Sequence, residues 1–166
     1  MIIRLLISVA ALCAIVTSAQ AQGTQVAFGG LKHDSTQPVE ISSDSLAVDQ
    51  SGGTAEFNGS VVAGQAALRL AADKVLVEYL TRDGNATGEI HQLTATGNVT
   101  MVNGAEAAES DKAVYTLTDG KVRMTGNVLL TQGQNAISGE ILNIDLNTGT
   151  ALFEGRVRTI FQSSNN

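Results

Sequence analysis

The sequence predicts an all-β protein of one domain, and three observations carry that reading. Apolar residues alternate with polar ones around a recurring glycine; this pattern and a second, acidic one return at fixed spacing; and turn dipeptides separate them where helix signals are nearly absent. The glycine pattern occurs as Glu56-Phe57-Asn58-Gly59-Ser60-Val61, Thr94-Ala95-Thr96-Gly97-Asn98-Val99, Arg123-Met124-Thr125-Gly126-Asn127-Val128 and Leu152-Phe153-Glu154-Gly155-Arg156-Val157. Apolar residues stand two places before and two places after each glycine, the period of a strand with one buried face. The glycine is expected to share that face and to let a bulky residue or a second sheet come close.

The acidic pattern occurs as Ile41-Ser42-Ser43-Asp44, Leu70-Ala71-Ala72-Asp73, Ala108-Glu109-Ser110-Asp111 and Ile137-Ser138-Gly139-Glu140. After it come the apolar pairs Leu46 and Val48, Val75 and Val77, Ala113 and Tyr115, and Leu142 and Ile144. The apolar residue before the acid and those after it are an odd number of positions apart, so a plain strand would put them on opposite faces. A bulge or corner at the acidic residue lets both sets point inward. There the Asp is expected to accept backbone hydrogen bonds, as Asp does in turns.

From glycine to the next acid the step is 14 residues (59 to 73, 97 to 111, 126 to 140), and from acid to glycine it is 15 (44 to 59, 111 to 126, 140 to 155). The exception, 73 to 97, is 24 and marks a 9-residue insertion near Thr81–Gly88. A 29-residue unit is therefore repeated nearly four times, the signature of a repetitive architecture. Hairpin turns are expected at Gly52-Gly53, Asp83-Gly84-Asn85, Asn103-Gly104, Asp119-Gly120 and Asn147-Thr148-Gly149. The expected architecture is two facing sheets or a jelly-roll-like coil.

Ahead of this region, a basic start at Arg4, an apolar run from Leu5 to Val16 and the small residues Ala19-Gln20-Ala21 read as a signal peptide cleaved after Ala21. The run of 12 residues is short for a membrane span, which needs about 20. Residues 22–37, without sustained periodicity, are expected to form a flexible arm, 38–161 the β domain and 162–166 a disordered tail. The single Cys13 leaves with the leader, and the loss of Arg4 takes the formal charge from −6 to −7. One cysteine excludes a disulfide scaffold, and the acidic balance excludes nucleic acid as a partner.

No catalytic or cofactor motif is present: there is no phosphate loop, HExxH or GxSxG, and no mature cysteine. His33, in the arm, and His91, placed just before a strand, lack a nucleophile or metal ligand at useful spacing. Asp83–Gly88 resembles the start of a calcium loop, but Thr94 stands where the bidentate Glu is needed, so an ordinary hairpin loop is expected. The protein is therefore expected not to be an enzyme and to carry no metal or cofactor. What is left is the interior. Phe57, Val61, Leu70, Val77, Tyr115, Met124, Val128, Ile144 and Phe153 point inward and form either a packed core or an apolar trough for lipid chains. Val39 and Ile41 at one end, Val157 and Ile160 at the other, fall on candidate edge strands open to strand addition. Lys121, Arg123, Arg156 and Arg158 are the one local concentration of positive charge, a solvated face or a contact for anionic groups.

The runs Pro38-Val39-Glu40-Ile41-Ser42-Ser43-Asp44-Ser45-Leu46, Ala55-Glu56-Phe57-Asn58-Gly59-Ser60-Val61-Val62 and Leu70-Ala71-Ala72-Asp73-Lys74-Val75 resemble the OstA-like (LptA-like) family over roughly 38–161. The resemblance implies a β-jelly roll whose interior carries the lipid A part of lipopolysaccharide in the periplasm. It also implies head-to-tail assembly with further copies, bridging an LptC-like inner-membrane anchor and an LptD-like outer-membrane translocon. A negative charge does not attract lipid A phosphates, so headgroups are expected to stay outside or meet local basic residues. The competing expectation is a structural β-repeat protein that self-assembles through its edges and binds no lipid.

Overall fold

Eleven strands form one antiparallel sheet in the computed structural model, which describes residues 24–27 and 36–161. They are β1 (Thr24–Ala27), β2 (Glu40–Ser42), β3 (Ser45–Asp49), β4 (Thr54–Gln65), β5 (Leu68–Arg82), β6 (Asn85–Asn103), β7 (Glu106–Thr116), β8 (Lys121–Gln132), β9 (Asn135–Asp145), β10 (Thr150–Glu154) and β11 (Arg158–Ile160). No helix occurs among the described residues. From β4 to β10 each strand pairs with its neighbour in sequence, joined by short turns that contain glycine except at Ala66-Ala67 between β4 and β5, where Ala66 takes a φ of 50°. The leader and the tail lie outside the described residues.

The long strands bend midway. Register breaks occur between Asn58 and Val61, Ala71 and Lys74, Thr96 and Val99, Glu109 and Lys112, and Thr125 and Val128. These breaks fall at the glycine and acidic positions and divide the sheet into two halves. Half-sheet A holds β2, β11 and the segments ending in the turns at 65–68, 103–106 and 132–135; half-sheet B holds β1, β3, β10 and the other ends of β4 to β9. Along β8 the burial alternates on both sides of the break: Val122 and Met124, then Val128 and Leu130, are buried. Both inner faces are therefore covered, and each half supplies the other's cover. The odd step in the sequence is absorbed by the bulge, which keeps both apolar sets inward.

At the bend the residues do something the alternation does not anticipate. Gly59, Gly97, Gly126 and Gly155 have φ of 80°, 80°, 81° and 90°, a left-handed backbone that residues with a Cβ rarely adopt. They do not open the interior to a bulky group. Instead the acid of the neighbouring strand lies across them: a side chain at Gly59, Gly97, Gly126 or Gly155 would overlap Asp44, Asp73, Asp111 or Glu140. The following residue is also left-handed at Ser60, Asn98 and Asn127 (φ 45°, 47° and 49°). Asn98 and Asn127 donate through Nδ2 to the carboxylates of Asp73 (2.8 Å) and Asp111 (2.9 Å). The glycine thus serves the outer surface of each corner, where a carboxylate needs its space.

The two ends of the sheet differ. At one, β2 and β3 pair with β4 and have no further strand partner among the described residues; at the other, β11 pairs with β9, and β10 is flanked by β1. The strand β1, Thr24↔Phe153 to Ala27↔Thr150, falls inside the segment read as an arm; four residues are too few for a period, and the edge of β10 supplies their backbone partners. The insertion lengthens the β5–β6 hairpin, with Arg82 opposite Asn85 and a two-residue turn at Asp83-Gly84, so the segment resembling a calcium loop is an ordinary hairpin tip. His91 lies within β6 rather than ahead of a strand.

Candidate functional site

The apolar interior is the most developed feature of the molecule. Twenty-five hydrophobic residues there are between 0% and 6% exposed. Val61, Leu70, Val77, Tyr115, Met124, Val128, Ile144 and Phe153 all belong to this core, and Phe57 packs against it half-buried. The bend brings residues from both halves of the same strand to one face, as with Met124 and Val128 of β8. Full burial of side chains of this size contributes about 1.5–3 kcal/mol each, so the closed state rests mainly on them.

Closure is incomplete at the β2–β3 end. Leu46 and Val48 share the register of Phe57 and Ala55, yet are 55% and 60% exposed because no strand among the described residues lies beyond β3. The expectation that both are buried fails for that reason. Val39 and Ile41 pack half-buried against the same end of the core, and Val157 does so at the opposite end; Ile160, on β11, is exposed. Beside Val48, a groove of about 410 Å³ runs to Tyr79 and Ala86 of the long hairpin.

Polar side chains reach the inner face along one row. Gln65, Leu68, Asn103, Glu106, Gln132 and Asn135 are successive partners across β4 to β9, at the lip of half-sheet A farthest from the corner. Gln65, Asn103 and Glu106 are buried. Tyr115, near the opposite lip on half-sheet B, donates its hydroxyl to Gln65 Oε1 at 3.0 Å. Gln65 Nε2 donates in turn to the Gln37 carbonyl at 2.8 Å, and Gln132 Nε2 to Glu106 Oε1 at 2.7 Å. Burial pushes the Tyr115 hydroxyl up to about 12, so it stays a donor throughout the physiological range. Glu106 Oε2 and His91 Nδ1 are buried without a hydrogen-bond partner. This row was missed from the sequence. Its signal was there, because the polar residues keep the parity of Ala63, Met101, Ala108, Leu130 and Ile137 and flank tight turns.

The basic residues do not share one place in the register. Lys121 and Arg123 stand exposed on β8 of half-sheet B, and Arg123 donates to Asn143 Oδ1 at 2.8 Å. Arg156 follows the last corner and Arg158 opposes Ser138 on half-sheet A. The outer face of β4 and β5 carries the ion pair Lys74–Glu56 at 2.6 Å; its hydrogen bond from Lys74, helped by Asn58, holds the Glu56 carboxyl below its usual range. Among the described residues no group of three or more His, Cys, Asp or Glu is placed to hold a metal ion.

Comparison with known proteins agrees with this geometry. The chain is 30% identical over 151 residues to an uncharacterized protein of Rhizobium meliloti, a match covering 87% of this chain and 81% of that protein. It is 31% identical over 112 residues to the lipopolysaccharide export system protein LptA of Escherichia coli, covering 64% of this chain and 59% of that protein. The fold matches the crystal structure of LptH, the LptA-homologous periplasmic component of the lipopolysaccharide transport device of Pseudomonas aeruginosa, with a TM-score of 0.69 at 18% identity over 78% of this chain and 99% of that one. Residues 40–158 match the family described as LptA/(LptD N-terminal domain) LPS transport protein, and the chain belongs to that family.

Proposed function

We propose that this chain is a non-enzymatic, periplasmic lipopolysaccharide-binding export protein that shields the acyl chains of lipid A between its two half-sheets. The observation that carries the reading is the apolar inner face, buried along both half-sheets among the described residues, with Leu46 and Val48 exposed at the β2–β3 end. Phe57, Val61, Leu70, Val77, Tyr115, Met124, Val128, Ile144 and Phe153 would line the acyl path. Each methylene moved from water onto such a surface contributes about 0.8 kcal/mol, so several acyl chains hold a lipid without a charged anchor. This suits an acidic chain whose exposed cations are spread over both half-sheets. In this reading the folded sheet is a jelly roll of four units of about 29 residues, and the leader is cleaved after Ala21 on export.

The β2–β3 edge, with Val39 and Ile41, and the β11 edge, with Val157 and Ile160, suit head-to-tail addition of another copy. They equally suit docking to an LptC-like inner-membrane anchor at one end and an LptD-like outer-membrane translocon at the other. The competing reading, an edge-assembled structural protein without lipid, draws on the filled interior. Depletion of the protein in its host separates the two. New lipopolysaccharide is expected to stall short of the cell surface; normal surface delivery would leave the structural reading standing.

A further inference from the structure

The two ends of the folded sheet are built from equivalent parts of the repeat. β10 and β11 stand 96 positions after β4, counted from Gly59 to Gly155, and β2 and β3 stand 29 before β5, counted from Asp44 to Asp73. The pairings repeat with the residues. Phe57 lies opposite Leu46 and Phe153 opposite Leu142; Val62 lies opposite Ser42 and Arg158 opposite Ser138. On its other side β4 carries β5, with Phe57 opposite Val75 and Ala55 opposite Val77. No repeat unit takes the equivalent place beside β10 among the described residues. β1 takes it instead.

The fit is one of register. β1 runs antiparallel to β10 with Thr24 opposite Phe153 and Val26 opposite Ala151, the positions that Val75 and Val77 hold opposite Phe57 and Ala55. It pairs with no other strand and covers four of the five residues of β10. The repeat names a different strand for this place: β3 of a second copy, whose Leu46 and Val48 correspond to Val75 and Val77. In the register that β1 now holds, Leu46 of the second copy would face Phe153 and Val48 would face Ala151, five residues against five. Both residues are exposed in the single chain, and this pairing would cover them. In half-sheet A the same count sets Arg158 opposite Ser42 of the second copy and diagonal to its Glu40, opposite charges as neighbours. There β11 carries no strand beyond β9 among the described residues.

We propose that β1 is a built-in cap: within one chain it holds the place on β10 that β3 of a second copy takes in an assembly, and end-to-end addition requires its displacement. The inference rests on the head-to-tail reading above and adds what restrains that addition. A head-to-tail contact that does not close into a ring grows without limit, and an uncovered strand edge pairs with any strand it meets. A short strand of the same chain, in the register of the incoming one, blocks both until a matching copy replaces it.

The test measures association between copies by sedimentation velocity, using the chain from Gln22 onward, which contains no cysteine of its own. Gln25 and Leu152 are direct partners, so Gln25→Cys with Leu152→Cys is expected to form a disulfide within one chain and lock β1 in place. The oxidised form should stay monomeric where the unmodified chain associates, and reduction should restore association. Gln25→Pro with Val26→Pro removes N–H donors from β1. This pair is expected to lower the dissociation constant about tenfold, the factor by which a cap in place about nine-tenths of the time masks an edge. Adding Leu46→Lys and Val48→Lys to the proline pair should abolish association, and circular dichroism confirms folding of each variant. Thiols that stay free, or that link two chains, overturn β1 as its own chain's cap. Equal association of the unmodified, locked and proline forms overturns the restraint, and undiminished association of the lysine variant overturns β3 as the strand exchanged. Monomers at every concentration in the unmodified, reduced and proline forms would instead overturn the head-to-tail reading itself.

Discussion

The corner and the lip are built from the same strands but obey different chemistry. Both contain left-handed glycines: Gly126 at the corner has φ of 81° and Gly104, in the turn at the lip, has φ of 61°. A side chain at Gly126 would run into Asp111, whereas one at Gly104 would meet nothing within 4 Å. The corner is therefore constrained by backbone and neighbour together, and the lip by backbone alone. Substitution is therefore expected to be tolerated less at the corner than at the lip.

Substitutions can sharpen or break this contrast. The largest expected effect is at the inner side of the last corner, where Phe153 is fully buried and lies against Gly139. Phe153→Ala should destabilise the fold by about 3–5 kcal/mol, measured by denaturant titration; a loss below about 1 kcal/mol would mean that the corner core repacks freely. Next comes Gly126→Ala, expected to cost about 2–4 kcal/mol from the left-handed penalty and the overlap with Asp111. Gly104→Ala should cost only about 1–2 kcal/mol, the backbone part alone. Equal losses in the two glycine variants would remove the distinction between corner and lip.

Tyr115 offers a pH test of the lip. Its folded pKa is raised to about 12 by burial, above the value of about 10 in an unfolded chain, so the ionised form is disfavoured in the fold. The resulting stability is fully present below pH ~10 and is lost as the pH rises toward ~12, by about 2 kcal/mol. Tyr115→Phe should lack this alkaline step in a urea titration series, and an identical pH dependence in the variant would contradict a buried Tyr115 hydroxyl. The smallest effect is expected at the exposed ion pair on the outer face: Glu56→Gln should leave the thermal midpoint almost unchanged, because solvent screens the pair.

Much of this molecule could be read from its residues, and the omissions have physical causes. The alternation around Gly97 and Gly126 gave the strands, and the odd step across Asp73 and Asp111 gave the bend, because side-chain parity is a strict consequence of pleating. The inward set was legible for the same reason. The purpose of the glycines was not, since parity alone does not distinguish a position facing a second sheet from one lying under a carboxylate with φ above zero. The exposure of Leu46 and Val48 depends on what lies beyond the last strand, which is a question of tertiary order rather than local pattern. The lip was overlooked because Gln65, Asn103 and Glu106 sit beside turns, where polar residues are ordinary. Only the fold shows that they face the interior.

The central claim is that acyl chains occupy the space between the half-sheets, and the molecule carries its own reporters for it. Met101 and Met124 are both buried on the inner face, one on each half-sheet. Replacing methionine by its diazirine analogue, nearly the same in size, and irradiating with lipopolysaccharide should crosslink the lipid to the chain. A variant in which Met101 and Met124 become Leu, with the outward-facing Thr125 changed to Met, should give no crosslink. Strong labelling by the native methionines and none from position 125 is the predicted result; equal labelling from both faces would contradict an internal acyl path.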